Sequence, residues 1–320
     1  MVSYGGIGFH FPWGRLDVGI GDSHARRIYP VKGLMQQLLF FQSLWAMESR
    51  QPGCPERSLE EKIELIAAAG YDGISTSLSD PDQIRRLQGL LPQTDLAVEG
   101  VCFPRNIEDL APLLDMGTQL GVHHLTLQPD VRPRRLQECL TLIEGWRRLS
   151  EQVRFPVYFE THRDRMTTDL YFTLDLLDHH PELPLVADLS HYLVGREFAW
   201  PVSDENHALM HRILDCSWAI HGRVASREQV QVELSFPQHK MWLNLFLEWW
   251  RYGFQSWRRR AQPDATLAFV CELGPRPYAI TGADGKELAD RWSEALLLRQ
   301  CVTAVWKEVI ANNTPPTHDA

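Results

Sequence analysis

Four residues in the second half of the chain have the types and spacing to do chemistry. Glu160 closes the run V-Y-F-E, Asp188 closes L-V-A-D, His221 closes W-A-I-H, and Glu272 closes F-V-C-E. A carboxylate or imidazole at the end of an apolar run costs on the order of several kcal/mol unless it is paired, hydrogen-bonded or metal-bound. One such residue alone reads as a loop cap or an ion-pair partner. Four in succession favour a shared ion. Three carboxylates and one imidazole suit Mn²⁺, Mg²⁺, Co²⁺ or Fe²⁺, with Zn²⁺ in a catalytic role as the alternative.

These residues need a scaffold that brings four strand ends together. Apolar strand patterns cover 38–45, 71–78, 96–103, 123–128, 156–161, 184–190, 218–224 and 267–273. Helical patterns fall between and after them, at 58–69, 82–91, 107–120, 134–153, 168–179, 207–216, 238–261 and 289–310. Ser58 and Glu61 make a capping box for the first helix, and Gly70 is its natural stop. Strict alternation predicts parallel strands, and eight units predict closure into a single (β/α)₈ TIM barrel of the α/β class. Glu160, Asp188, His221 and Glu272 then share the C-terminal face, where adjacent strands lie about 4.8 Å apart. The barrel is expected over 34–311. A glycine-rich irregular N-terminal extension is expected over 1–33, and a disordered tail over 312–320.

The remaining composition narrows the function. The 320 residues carry a net charge of −9, against a nucleic-acid partner, which calls for a basic stripe. No apolar stretch is long enough for a membrane span. The start lacks a basic region followed by an apolar run and a cleavage site, so export is not expected. Cys54, Cys102, Cys139, Cys216, Cys271 and Cys301 form no C-x-x-C pair, which suits free thiols in a cytoplasmic protein. The helix carrying Trp242, Trp249, Trp250 and Trp257 is expected to pack on the barrel and against a partner subunit, so a homo-oligomer is in view. Arg258–Arg260 reads as a solvated helix end. Of His123 and His124, one is expected to face the core and the other the helices.

The order Glu, Asp, His, Glu on strands five to eight resembles the single-metal site of the xylose-isomerase-like TIM barrels. That superfamily includes sugar isomerases, ketose 3-epimerases and dehydratases, and the resemblance covers about residues 35–310. Its epimerase branch carries D-x-x-H on strand six, matched here by Asp188-Leu189-Ser190-His191, and an Arg six residues after the metal His, matched by Arg227. The resemblance implies substrate contacts by His191 and Arg227. The chain departs from it at Met166, where the epimerases have a Glu. His162 and Arg163, just past Glu160, are further substrate-contact candidates. A trinuclear endonuclease-IV-like relative needs extra histidines on strands two and three and after strand seven, and none is present there.

The chemistry expected is proton abstraction beside a carbonyl of a small carbohydrate. A divalent ion polarises the ketone, Glu160 and Glu272 act as base and acid, and a cis-enediolate is reprotonated to give isomerisation or epimerisation. Expulsion of a β-substituent would make the enzyme a lyase or dehydratase instead. A non-catalytic sugar-binding subunit is the alternative of another class.

Overall fold

The computed structural model describes residues 35–50 and 53–312. The extension expected over 1–33 lies outside the described residues, as does the tail beyond Asn312. Eight parallel strands close into a barrel in chain order. They are β1 (Gln37–Ser43), β2 (Gly73–Ser77), β3 (Ala97–Cys102), β4 (His124–Leu127), β5 (Val157–Glu160), β6 (Leu185–Ala187), β7 (Ser217–Gly222) and β8 (Thr266–Cys271). Closure is made by β1 against β8, with Phe41 beside Val270. The fold is the expected (β/α)₈ barrel.

The helices follow as α1 (Leu59–Ala68), α2 (Pro81–Leu90), α3 (Leu110–Leu120), α4 (Leu136–Ser150), α5 (Leu170–His179), α6 (Ser190–Gly195), α7 (Asp204–Asp215), α8 (Lys240–Arg260) and α9 (Arg291–Ala311). The capping box at Ser58 and Glu61 is formed. Gly70 ends the turn with φ of +75°, a backbone state that Gly adopts without a Cβ clash. The short helix α6 has no counterpart in the sequence pattern. It begins two residues after Asp188, whose carboxylate accepts from the Ser190 backbone N–H at 3.0 Å.

Two apolar layers hold the barrel. The larger lies between strands and helices. The smaller contains Phe41, Val186, Ala219, Ala268 and Val270, with Tyr158 packed on it. Strand side chains alternate with period two. Tyr158, Val186, Ala219 and Val270 stand two residues before Glu160, Asp188, His221 and Glu272, so they form the barrel floor beneath those groups. Gly73 makes room for that floor: a Cβ there would meet the Phe41 ring at 2.4 Å and the Ala97 carbonyl oxygen at 2.6 Å.

Helix α8 is buried against this chain. Trp242, Trp249, Trp250 and Trp257 are at most 9% exposed, and the Trp249 indole N–H donates to His207 Nδ1 at 3.0 Å. Trp249 packs on His207 of α7 and Trp250 on Phe269 of β8. The arginine end is anchored as well. Arg260 donates to the carbonyls of Leu214 and Ser217, and Arg258 to that of Val309. Arg259, between them, is exposed, so the solvated end expected is found at that residue alone. Among the described residues all six cysteines are free, and Cys102, Cys139 and Cys271 are buried. No helix among the described residues is long and apolar enough to cross a membrane.

Candidate metal centre

His221 is the centre of the polar cluster. Period two turns it inward from β7, and it is 1% exposed. Its Nε2 lies 2.8 Å from Glu99 Oε1. Its Nδ1 lies 3.4 Å from Glu160 Oε1 and 3.2 Å from Glu272 Oε2. Neither Nδ1 nor Glu160 Oε1 has a hydrogen-bond partner, although both are buried. The other oxygen of Glu160 accepts from the Gln128 amide at 2.9 Å. Donor atoms of Glu160, His221 and Glu272 all lie within 4.8 Å of one another. Two orphaned buried atoms converging with a second carboxylate suit a divalent cation.

Asp188 stands apart from that trio. Its Oδ1 accepts from both the backbone and the hydroxyl of Ser190. Its Oδ2 faces His191 Nε2 at 3.3 Å and Arg223 Nε at 3.4 Å. Arg223 is the reason for the separation. Two residues past His221, it points into the same interior and is 1% exposed. Its Nη2 donates to Glu272 Oε2 at 2.9 Å. The guanidinium also lies 4.6 Å from the Tyr278 ring centroid and 5.7 Å from that of Trp45, a cation–π cradle. A built-in cation therefore ties Asp188 to Glu272.

The charges are mutually set. Burial alone would lower the His221 pKa, but Glu99, Glu272 and Glu160 hold it well above the usual histidine value. Burial would raise Glu99, yet His221 and His124 hold it well below the carboxylate range. Glu272 is likewise lowered against burial, by His221 and Arg223. Burial opposes the Arg223 charge, and Asp188 and Glu272 reverse that. The arrangement is an inward-facing ion network at the C-terminal face of the barrel, where a substrate carbonyl could be polarised and its neighbouring proton moved.

Two members of this network, Glu99 and Arg223, were not among the residues expected from sequence. Glu99 sits in the strand run A-V-E-G-V-C, as apolar in context as the run before Glu160. Its Oε1 also accepts from Thr126 at 2.5 Å and meets His124 Nε2 at 3.2 Å. His123 and His124 do not take opposite faces. His123 precedes β4, so its ring escapes strand alternation: one nitrogen meets His124 Nδ1 at 2.9 Å, the other Thr266 on β8 at 2.8 Å.

The expected substrate contacts are divided. His191 is fully buried, and its ring centroid is 4.0 Å from that of His162. Burial lowers both, His162 to about 4. Arg163 lies 4.8 Å from the Tyr278 ring centroid, the same ring that Arg223 covers. Arg227 is elsewhere. It is 43% exposed in the loop after β7 and faces Glu197 at 3.9 Å and Glu228 at 3.6 Å. Met166 is buried at 2% exposure, in the loop after β5.

Solved structures similar to this chain share its fold. L-ribulose 3-epimerase superposes with a TM-score of 0.54 at 12% identity, covering 89% of this chain and all of that one. D-psicose 3-epimerase, solved in the presence of D-fructose, gives 0.52 at 10% identity, with 85% of this chain and 99% of that one covered. A sugar phosphate isomerase/epimerase from Parabacteroides distasonis gives 0.54 at 9% identity, with 87% and 96% covered. At these identities the likeness is one of fold: each shares the closed barrel. No protein-family model matches the sequence, and no curated protein matches it.

Proposed function

We propose that the chain is a divalent-metal-dependent sugar isomerase or epimerase, with Glu160, His221 and Glu272 as the ion's ligands. The observation that carries this reading is the pair of orphaned buried atoms, His221 Nδ1 and Glu160 Oε1, converging with Glu272 at the barrel mouth. The neighbouring structures, sugar epimerases on the same barrel, support the substrate class. An ion held there would act as a Lewis acid toward a sugar carbonyl and its adjacent hydroxyl.

The protein's own groups do the rest. Glu160, braced by Gln128, takes the proton beside the carbonyl. Glu272, braced by Arg223 and ionised at rest, takes a proton from the open side of the site and delivers it on the opposite face of the cis-enediolate, while Glu160 gives its own proton back to solvent, so the isomer or epimer forms with no net proton change. The apolar floor of Tyr158, Val186, Ala219 and Val270 excludes water beneath the sugar. Glu99 acts at one remove: it accepts the His221 Nε2 proton, so that an ion would displace the Nδ1 proton and take the Nδ1 lone pair.

Two measurements check this. With Mn²⁺ present, incubation with ketoses in D₂O is expected to place deuterium on the carbon beside the carbonyl. Absence of exchange across a panel of keto-sugars would overturn the enolisation chemistry. Separately, Glu99→Gln is expected to weaken Mn²⁺ binding about 10–100-fold, the usual cost of removing a histidine ligand's orienting partner. Calorimetric titration of the chelator-stripped protein reads that loss, and unchanged affinity would take Glu99 out of the ion's support.

A further inference from the structure

His191 presents a problem that the first centre does not solve. The ring is fully buried at the start of α6, yet neither nitrogen makes a hydrogen bond. Its nearest charged neighbour is Asp188, whose Oδ2 lies 3.3 Å from Nε2. Buried polar atoms are almost always satisfied, so an orphaned imidazole calls for a partner. Beside it stands His162, ring centroids 4.0 Å apart and planes tilted by 52°.

The proton on His162 can be placed. Its Nδ1 lies 2.5 Å from the carbonyl oxygen of Arg163, which can only accept. The N–H therefore sits on Nδ1, and Nε2 carries a free lone pair. A backbone carbonyl fixing the far nitrogen is the usual way a metal-binding histidine is oriented. The third member is Glu160, whose Oε1 has no hydrogen-bond partner. Donor atoms of Glu160, His162 and His191 lie within 4.8 Å of one another.

We propose that Glu160, His162 and His191 form a second divalent-cation site, of zinc-type preference, sharing Glu160 with the first centre. Two imidazoles and one carboxylate with an open fourth position make a donor set for Zn²⁺ or Co²⁺. The first trio has two carboxylates and one imidazole, a harder set. Bonds of about 2.1 Å span donors up to about 4.2 Å apart, so a small rotation of the half-buried His162 completes the site. Paired sites with a shared carboxylate place two ions about 3.5–4 Å apart. His162 and His191, expected from sequence to touch substrate, would then reach it through an ion. The proposal stands apart from the isomerase reading, since it concerns ion stoichiometry alone.

The test uses the full chain, stripped with a chelator and dialysed against Zn²⁺ or Co²⁺. Ions per chain are counted by elemental analysis in the wild type, His162→Asn, His191→Asn and Glu272→Gln. Two ions are expected in the wild type and one in each variant. The Co²⁺-loaded His162→Asn protein should also lose one component of the visible spectrum. His162→Asn is the deciding variant, because His191 is buried and its replacement disturbs packing. If His162→Asn binds as many ions as the wild type, the second site is overturned. A single ion lost in His162→Asn but kept in Glu272→Gln supports the zinc site and overturns the first centre. A single ion lost only in Glu272→Gln does the reverse.

Discussion

Glu272→Gln is expected to lower turnover by about 10²–10⁴-fold, the range for removing a positioned acid or base, with the barrel still folded. The amide keeps an oxygen that can accept from Arg223 Nη2, so the contact now measured at 2.9 Å has a substitute. It cannot carry the proton. Glu272 stands just past β8 and its side chain is 16% exposed, against 1% for Glu160 and His221. Of the trio it is therefore the group most open to a bound sugar. The measurement is kcat on whichever ketose exchanges deuterium, with a circular dichroism melt as the folding control. Saturating Mn²⁺ separates this effect from that of Glu99→Gln, where added ion restores activity because only the ion's support has been weakened. A Glu272→Gln enzyme running at the wild-type rate would remove Glu272 from proton transfer.

The barrel was legible because two periodicities alternate along the chain and each apolar strand is short. Glu160, Asp188, His221 and Glu272 were legible because a charge closing an apolar run is costly unless something compensates it. The same reasoning reaches Glu99, a carboxylate wholly inside an apolar strand, and it reaches Arg223, which shares the inward face with His221 by period two. Both signals are in the sequence, Glu99 within its strand and Arg223 just past the end of β7. Arg227 is a different case. Its place depends on the path of the loop after β7, and spacing from His221 carries no information about that path. The separation of Asp188 from the trio follows from Arg223: a guanidinium between Asp188 and Glu272 draws one carboxylate to each side. Helix α6 is too short to show a helical period, and only its first residue, Ser190, falls within the strand pattern over 184–190.

Arg223→Met, by contrast, is expected to destabilise the metal-free protein by about 3–5 kcal/mol, because it strands buried carboxylates without their counter-charge. Asp188 is 0% exposed and Glu272 is held by the same guanidinium. The pH dependence follows from Asp188. Burial alone would raise its pKa, but His191 and Arg223 pull it far below the usual carboxylate range. A carboxyl lowered in this way stabilises the fold above its unfolded pKa, and that contribution is lost as pH falls through the folded value. In the wild type the loss therefore falls in strong acid. Without Arg223, His191 and the two Ser190 hydrogen bonds remain to hold Asp188 down, its folded pKa climbs, and acid unfolding begins at a higher pH. A divalent ion bound by Glu160, His221 and Glu272 restores part of the missing positive charge, so Mn²⁺ should raise the denaturation midpoint of the variant more than that of the wild type. Urea titrations at neutral pH and at pH 4, with and without Mn²⁺, measure all three effects. If the variant matches the wild type at both pH values, Asp188 and Glu272 are compensated by other groups, and Arg223 is not the cation that shapes the site.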